Sequence, residues 1–80
     1  MNKDWRNFTS EILFEHIGPV TEIIIDDALN SIDAKRRSMN NTGDYLVFIK
    51  ALYKELPHDI DRKSVCEYLW AEMMNQNIFV

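Results

Sequence analysis

The sequence predicts an all-α fold, a compact antiparallel bundle of about four helices forming one domain over residues 1–80. Three observations predict it. The apolar runs recur with a period of about 3.6 residues. No Asn-Gly or Asp-Gly pair marks a hairpin turn. The runs are separated by short corners rather than Gly/Ser linkers, and short connections place successive helices side by side and antiparallel.

The first helix is expected from about Lys3 to His16. Trp5, Phe8 and Ile12 fall at i, i+3 and i+7, joined by Leu13, while Thr9, Ser10, Glu11 and Glu15 are polar. Gly18 and Pro19 then stand together between two apolar runs. The residue before a proline is pushed out of the right-handed helical region. Glycine accepts that, and accepts a left-handed cap as well. Proline lacks an N–H, but the first helical position needs none. Gly18 and Pro19 therefore read as a structural corner, one closing a helix and the other opening the next.

The second helix is expected over about residues 19–32. Val20, Ile23, Ile24, Ala28 and Leu29 give a wide apolar arc, which Ile25 and Ile32 widen, opposite Glu22, Asp26, Asn30 and Asp33. Residues 33–43, DAKRRSMNNTG, lose the period and read as the main loop. Gly43-Asp44 opens the third helix, with Tyr45, Ile49, Leu52 and Leu56 on one face and Leu46, Phe48 and Tyr53 beside it. Leu56-Pro57 ends it. Asp59 or Asp61 caps the fourth helix, which carries Val65, Leu69 and Met73 in a row, with Cys66, Trp70 and Met74 adjacent. Asn75-Gln76-Asn77 weakens its end, and the apolar tail Ile78-Phe79-Val80 follows.

Composition bounds the function. A chain of 80 residues, 46% hydrophobic, makes one small domain with a thin core. Contacts with a partner or a second copy then weigh more. One cysteine excludes an internal disulfide and a multi-cysteine zinc site. No apolar run approaches the ~18 residues of a membrane span, and no basic segment precedes an apolar leader, so the expected location is the cytoplasm. A net charge of −4 disfavours nucleic acid and suits a basic protein partner. A helix-turn-helix using the Gly18 corner would read DNA with PVTEIIIDDALNSID, which is acidic and apolar and would repel phosphate.

The residues that could carry chemistry read as structural. His16 and His58 lack zinc-ligand spacing. Cys66 lies on the apolar side of its helix, where cysteine acts as a small hydrophobe. Asp26 and Asp27 point ~100° apart. Asp59-x-Asp61 lacks the glycine and closing glutamate of a calcium loop. Lys35-Arg36-Arg37 reads as a solvated helix end. No catalytic, metal or cofactor-binding residue is expected, and no cofactor.

The aromatics at 5, 8, 45, 48, 53, 68 and 70 read mostly as core by their spacing. Nine aromatics exceed what a thin core holds, and exposed aromatics are what binding hot spots use. The expected partner-binding residues are Trp5, Tyr53, Trp70, Ile78 and Phe79. The tail at 78–80 is expected to dock on a second copy, giving a homodimer.

Ile17-Gly18-Pro19-Val20, Ile24-Ile25-Asp26-Asp27-Ala28, Leu52-Tyr53-Lys54-Glu55-Leu56-Pro57 and Tyr68-Leu69-Trp70 occur in that order. Over about residues 10–72 the chain resembles a small all-helical Ile-Gly-Pro module of unknown function found in bacterial signalling proteins, often C-terminal to serine/threonine kinase domains. The resemblance implies a regulatory setting, with a kinase, response regulator or motility protein as partner, and implies no catalytic residue. The resulting expectation is a non-enzymatic protein-interaction module. The alternative is a small acidic inhibitor, antitoxin- or immunity-like, of a basic enzyme.

Overall fold

The computed structural model describes residues 4–32 and 41–76, and every regular element among them is helical. α1 spans Trp5–Ile17. It starts there, and not at Lys3, because the Asp4 carboxylate accepts from the backbone N–H of Arg6 at 3.0 Å and of Asn7 at 3.4 Å.

The corner is built as the sequence predicts, with one refinement. Gly18 closes α1 at φ 68° and ψ −141°, a region that glycine alone occupies without strain. A Cβ added to Gly18 would meet nothing within 4 Å, so the glycine is required for its dihedral and not for space. Between the two helices lies one 3₁₀ turn, Gly18–Val20, with Pro19 inside it. α2, Thr21–Ser31, therefore begins after the proline rather than at it. The Thr21 hydroxyl donates to the Gly18 carbonyl at 2.6 Å and ties the corner shut.

α2 buries most of its expected arc and leaves one edge of it outside. Ile25 and Ala28 are fully buried, with Thr21 beside them, whereas Ile23 is 62% exposed and Val20 is exposed. The inward row is thus 21, 25, 28. Ile24, Leu29 and Ile32 of the expected arc pack against the core beside it, and Val20 and Ile23 fall outside. Thr21 can occupy the row because its hydroxyl is already satisfied at Gly18.

α3 spans Thr42–Glu55. Asn41 caps it, accepting from the Asp44 N–H at 2.9 Å and donating to the Asp44 carboxylate at 3.1 Å. The helix therefore starts at Thr42, one residue before the expected opening at Gly43-Asp44. Tyr45, Ile49, Leu52 and Leu56 are buried, as their spacing predicts, and Phe48 joins them. Leu56 is extended at ψ 149°, as the residue before Pro57 must be. α4 spans Arg62–Asn75. Its cap is Asp61, accepting from the Ser64 N–H at 3.1 Å and from its hydroxyl at 2.8 Å. Val65, Cys66, Leu69 and Met73 are its buried residues.

Two polar links fix α1. Thr9 and Tyr45, both fully buried, share a hydrogen bond of 2.7 Å between α1 and α3. On the surface, one nitrogen of Arg6 reaches Asp26 at 2.6 Å and Glu22 at 2.9 Å, and the Ser10 hydroxyl donates to Glu22 at 2.8 Å. The order of these pairs, 6 with 26 and 10 with 22, makes α1 and α2 antiparallel. The Ser10 hydroxyl, and after it Arg6, holds the Glu22 carboxyl below its ordinary range.

Candidate functional site

The surface chemistry concentrates along the seam between α1 and α4. Glu15 and His16 of α1 meet Asp61, Ser64 and Tyr68 of α4, while Asp4, Asn7 and Glu11 meet Gln76. The two helices therefore run antiparallel. At the first end the walls enclose an open hollow of about 470 Å³, floored by Ile60 and Val65. At the other end a second hollow of about 250 Å³ is floored by Phe8. A third, shallow hollow of about 480 Å³ lies on the outer face of α1, between Asn7, Ser10, Glu11, Phe14 and Glu15.

These hollows share the α1 row Asn7, Glu11, Glu15, which follows from i, i+4, i+8 spacing. Asp4, Glu11, Glu15 and Asp61 line them, and no lysine or arginine among the described residues does. Asp4 and Asp61 serve as helix caps. Glu11 and Glu15 meet no cation among the described residues. The Ser64 hydroxyl, and then its N–H, holds the Asp61 carboxyl below its ordinary range, so it carries charge. Two aromatic rings stand out of this surface: Phe14, 59% exposed, and Tyr68, 49% exposed. Tyr68 meets the His16 ring edge-on, with centroids 6.4 Å apart.

The expected binding residues are placed differently from one another. Trp5 is half-buried, packed edge-on against Phe48 at 5.2 Å and Tyr45 at 6.2 Å. Trp70 is half-buried against the core. Tyr53 is 40% exposed, with the Arg62 guanidinium 4.6 Å above its ring. Ile78 and Phe79, and with them the expected dimer contact, lie outside the described residues, as does Lys35-Arg36-Arg37. Tyr68, read as core, is a correction: the buried row of α4 is 65, 69, 73, and Tyr68 lies off it beside Ser64. Phe14 was missed altogether. The signal available for it was its place in the polar row of α1, one residue beyond the buried Leu13.

The groups with nucleophilic potential are held in their neutral forms. Burial pushes the Cys66 thiol up to about 11, and its sulfur lies 3.9 Å from the Ile49 carbonyl oxygen. Burial pushes the Tyr45 phenol up to about 12. Among the described residues no group of His, Cys, Asp and Glu could hold a metal ion, and no helix is long and apolar enough to cross a membrane.

The fold and this seam define a small all-α domain whose exposed chemistry is carboxylate and aromatic. The chain belongs to the DUF8082 family, a domain of unknown function, whose pattern matches residues 4–75. The match runs from the α1 cap to the last residue of α4. No curated protein and no solved structure matches it.

Proposed function

We propose that this chain is a non-enzymatic protein-interaction module of a bacterial regulatory system, acting in the cytoplasm and binding a partner through the α1–α4 surface. The observation that carries this reading is the pair of exposed rings, Phe14 and Tyr68, standing beside Glu11 and Glu15, which meet no cation among the described residues. Large apolar side chains inside a charged rim are the usual composition of a binding hot spot. The inert state of Cys66 and Tyr45 supports a role without covalent chemistry. The regulatory setting comes from the Ile-Gly-Pro resemblance, which points to a kinase, response regulator or motility component as partner.

Affinity capture from the source cell tests it, with the intact chain and with a Phe14→Ser/Tyr68→Ser variant of unchanged melting temperature. Stoichiometric recovery of a regulatory protein by the intact chain alone supports the reading. Equal recovery by both proteins places binding elsewhere and refutes it. The unpaired carboxylates favour one second reading, a small acidic inhibitor of a basic enzyme. Recovery of a nuclease or other toxin, inhibited on addition of the chain, would establish that reading instead.

A further inference from the structure

The α1–α4 seam has a length, a floor and a charge, and together they specify an occupant. Its walls are two antiparallel helices, α4 being 14 residues long. At 1.5 Å per residue the α4 wall runs about 21 Å, or four helical turns, with a separate hollow at each end of the seam. Its floor is apolar at both ends, with Val65 and Ile60 at one and Phe8 at the other. Tyr68, half exposed, lines the first of these hollows, and Phe14 lies on the outer flank of α1. Carboxylates stand on both walls: Asp4, Glu11 and Glu15 on α1 and Asp61 on α4.

Three of the described cations are engaged by other groups of the chain. Arg6 is held by Glu22 and Asp26 on the α2 side. Arg62 lies over Tyr53 and donates to its carbonyl oxygen at 3.3 Å. Lys63 pairs with Glu67 at 3.9 Å, one turn along α4. Glu11 and Glu15, the two carboxylates of the groove that cap no helix, are left without a cation among the described residues.

Resting on the interaction-module reading, we propose that the α1–α4 seam docks a cationic amphipathic helix of about four turns from a partner protein. An apolar stripe on that helix would lie on Phe8, Tyr68 and Val65. Lysines or arginines flanking the stripe would reach Glu11 and Glu15 on one wall and Asp61 on the other. Such a helix adds one more rod to an all-helical packing. An anionic helix is rejected by the same carboxylates that attract the cationic one.

The probe is a fluorescent 14-residue peptide with leucines at i, i+3 and i+7 and lysines beside them, titrated onto the intact chain. Its controls are the same residues in scrambled order and a version with glutamate in place of every lysine. The lysine helix is expected to bind at least about tenfold more tightly than either control. Glu11→Lys/Glu15→Lys is expected to weaken it by about tenfold or more, with helix content and melting temperature retained, because both side chains are exposed and meet no cation among the described residues. Equal binding of the scrambled peptide would mean unspecific charge adhesion and would overturn the proposal. So would equal binding by the charge-reversed chain, or a homodimer that Glu11→Lys/Glu15→Lys dissociates, since a second copy would then fill the seam. Failure of the lysine helix alongside a Phe14- and Tyr68-dependent cellular partner overturns this inference alone and leaves the interaction module standing.

Discussion

Replacing Tyr45 by phenylalanine removes one oxygen atom and nothing else. The ring keeps its place against Trp5 and Phe48, at 6.2 and 5.7 Å. The Thr9 hydroxyl, fully buried and 2.7 Å from that oxygen, loses its partner inside the core. A buried hydroxyl left unmatched costs about 1–3 kcal/mol, more than the ~1 kcal/mol net worth of an average hydrogen bond. Thr9→Val destabilises by removing the other side of the pair. Thr9→Val/Tyr45→Phe leaves an apolar contact of nearly the same shape, so it should cost less than the two single changes added together. The expected coupling is about 1 kcal/mol or more, opposite in sign to additive damage. Urea denaturation followed by circular dichroism measures all four proteins, with the slope m unchanged if the denatured state is the same. A Tyr45→Phe protein within about 0.3 kcal/mol of the parent, or strict additivity, would show that the bond does not hold α1 to α3.

The remaining predictions concern the corner, the caps, the α2 face and pH. Gly18→Ala should cost about 1–3 kcal/mol through backbone strain alone, lowering the melting temperature, because no neighbour obstructs the added methyl. An unchanged melt would mean that the positive φ is not maintained. Asp61→Ala should lower the melting temperature while Asp59→Ala leaves it in place, since only Asp61 accepts from Ser64. Ile25→Ala should cost about 2–5 kcal/mol and Ile23→Ala little, a contrast that equal melts would reject. Cys66 and Tyr45 hold their protons more tightly when folded, at about 11 and about 12 against ordinary values of 9.0 and 10.0. The unfolded chain loses protons first, so stability is full below about pH 9 and falls as pH rises toward 12. Chemical denaturation across that window checks the sign, and Cys66→Ala should flatten its lower part.

α3 and α4 could be read from the sequence because each buried row is uninterrupted at i, i+4, i+7 or i+4, i+8. α2 could not. Ile23, Ile24 and Ile25 cover three successive directions around one helix, so periodicity alone selects no face. The choice falls to Thr21, a polar residue that enters the inward row only because Gly18 offers it a carbonyl. Helix starts shifted for a similar reason. Asn41 sits three residues ahead of Asp44, which is cap spacing, but Gly43 disguises the helix that follows. The seam was least legible. Its walls come from helices about fifty residues apart, and Phe14 and Tyr68 each adjoin a buried leucine, so only the packing of α1 against α4 separates exposed ring from core.

α1 is held on three sides, by Arg6 to α2, by Thr9 to α3, and by His16 against Tyr68 of α4. Its fourth side is the row Asn7, Glu11, Glu15. A segment landing there meets a backbone that has already lost its conformational freedom in folding, so the backbone entropy of ordering falls on the incoming segment. Calorimetry of binding would then report the coil-to-helix transition of the partner, scaling with the partner's length. The amides of α1 should exchange with solvent at nearly the same rate whether the row is covered or bare.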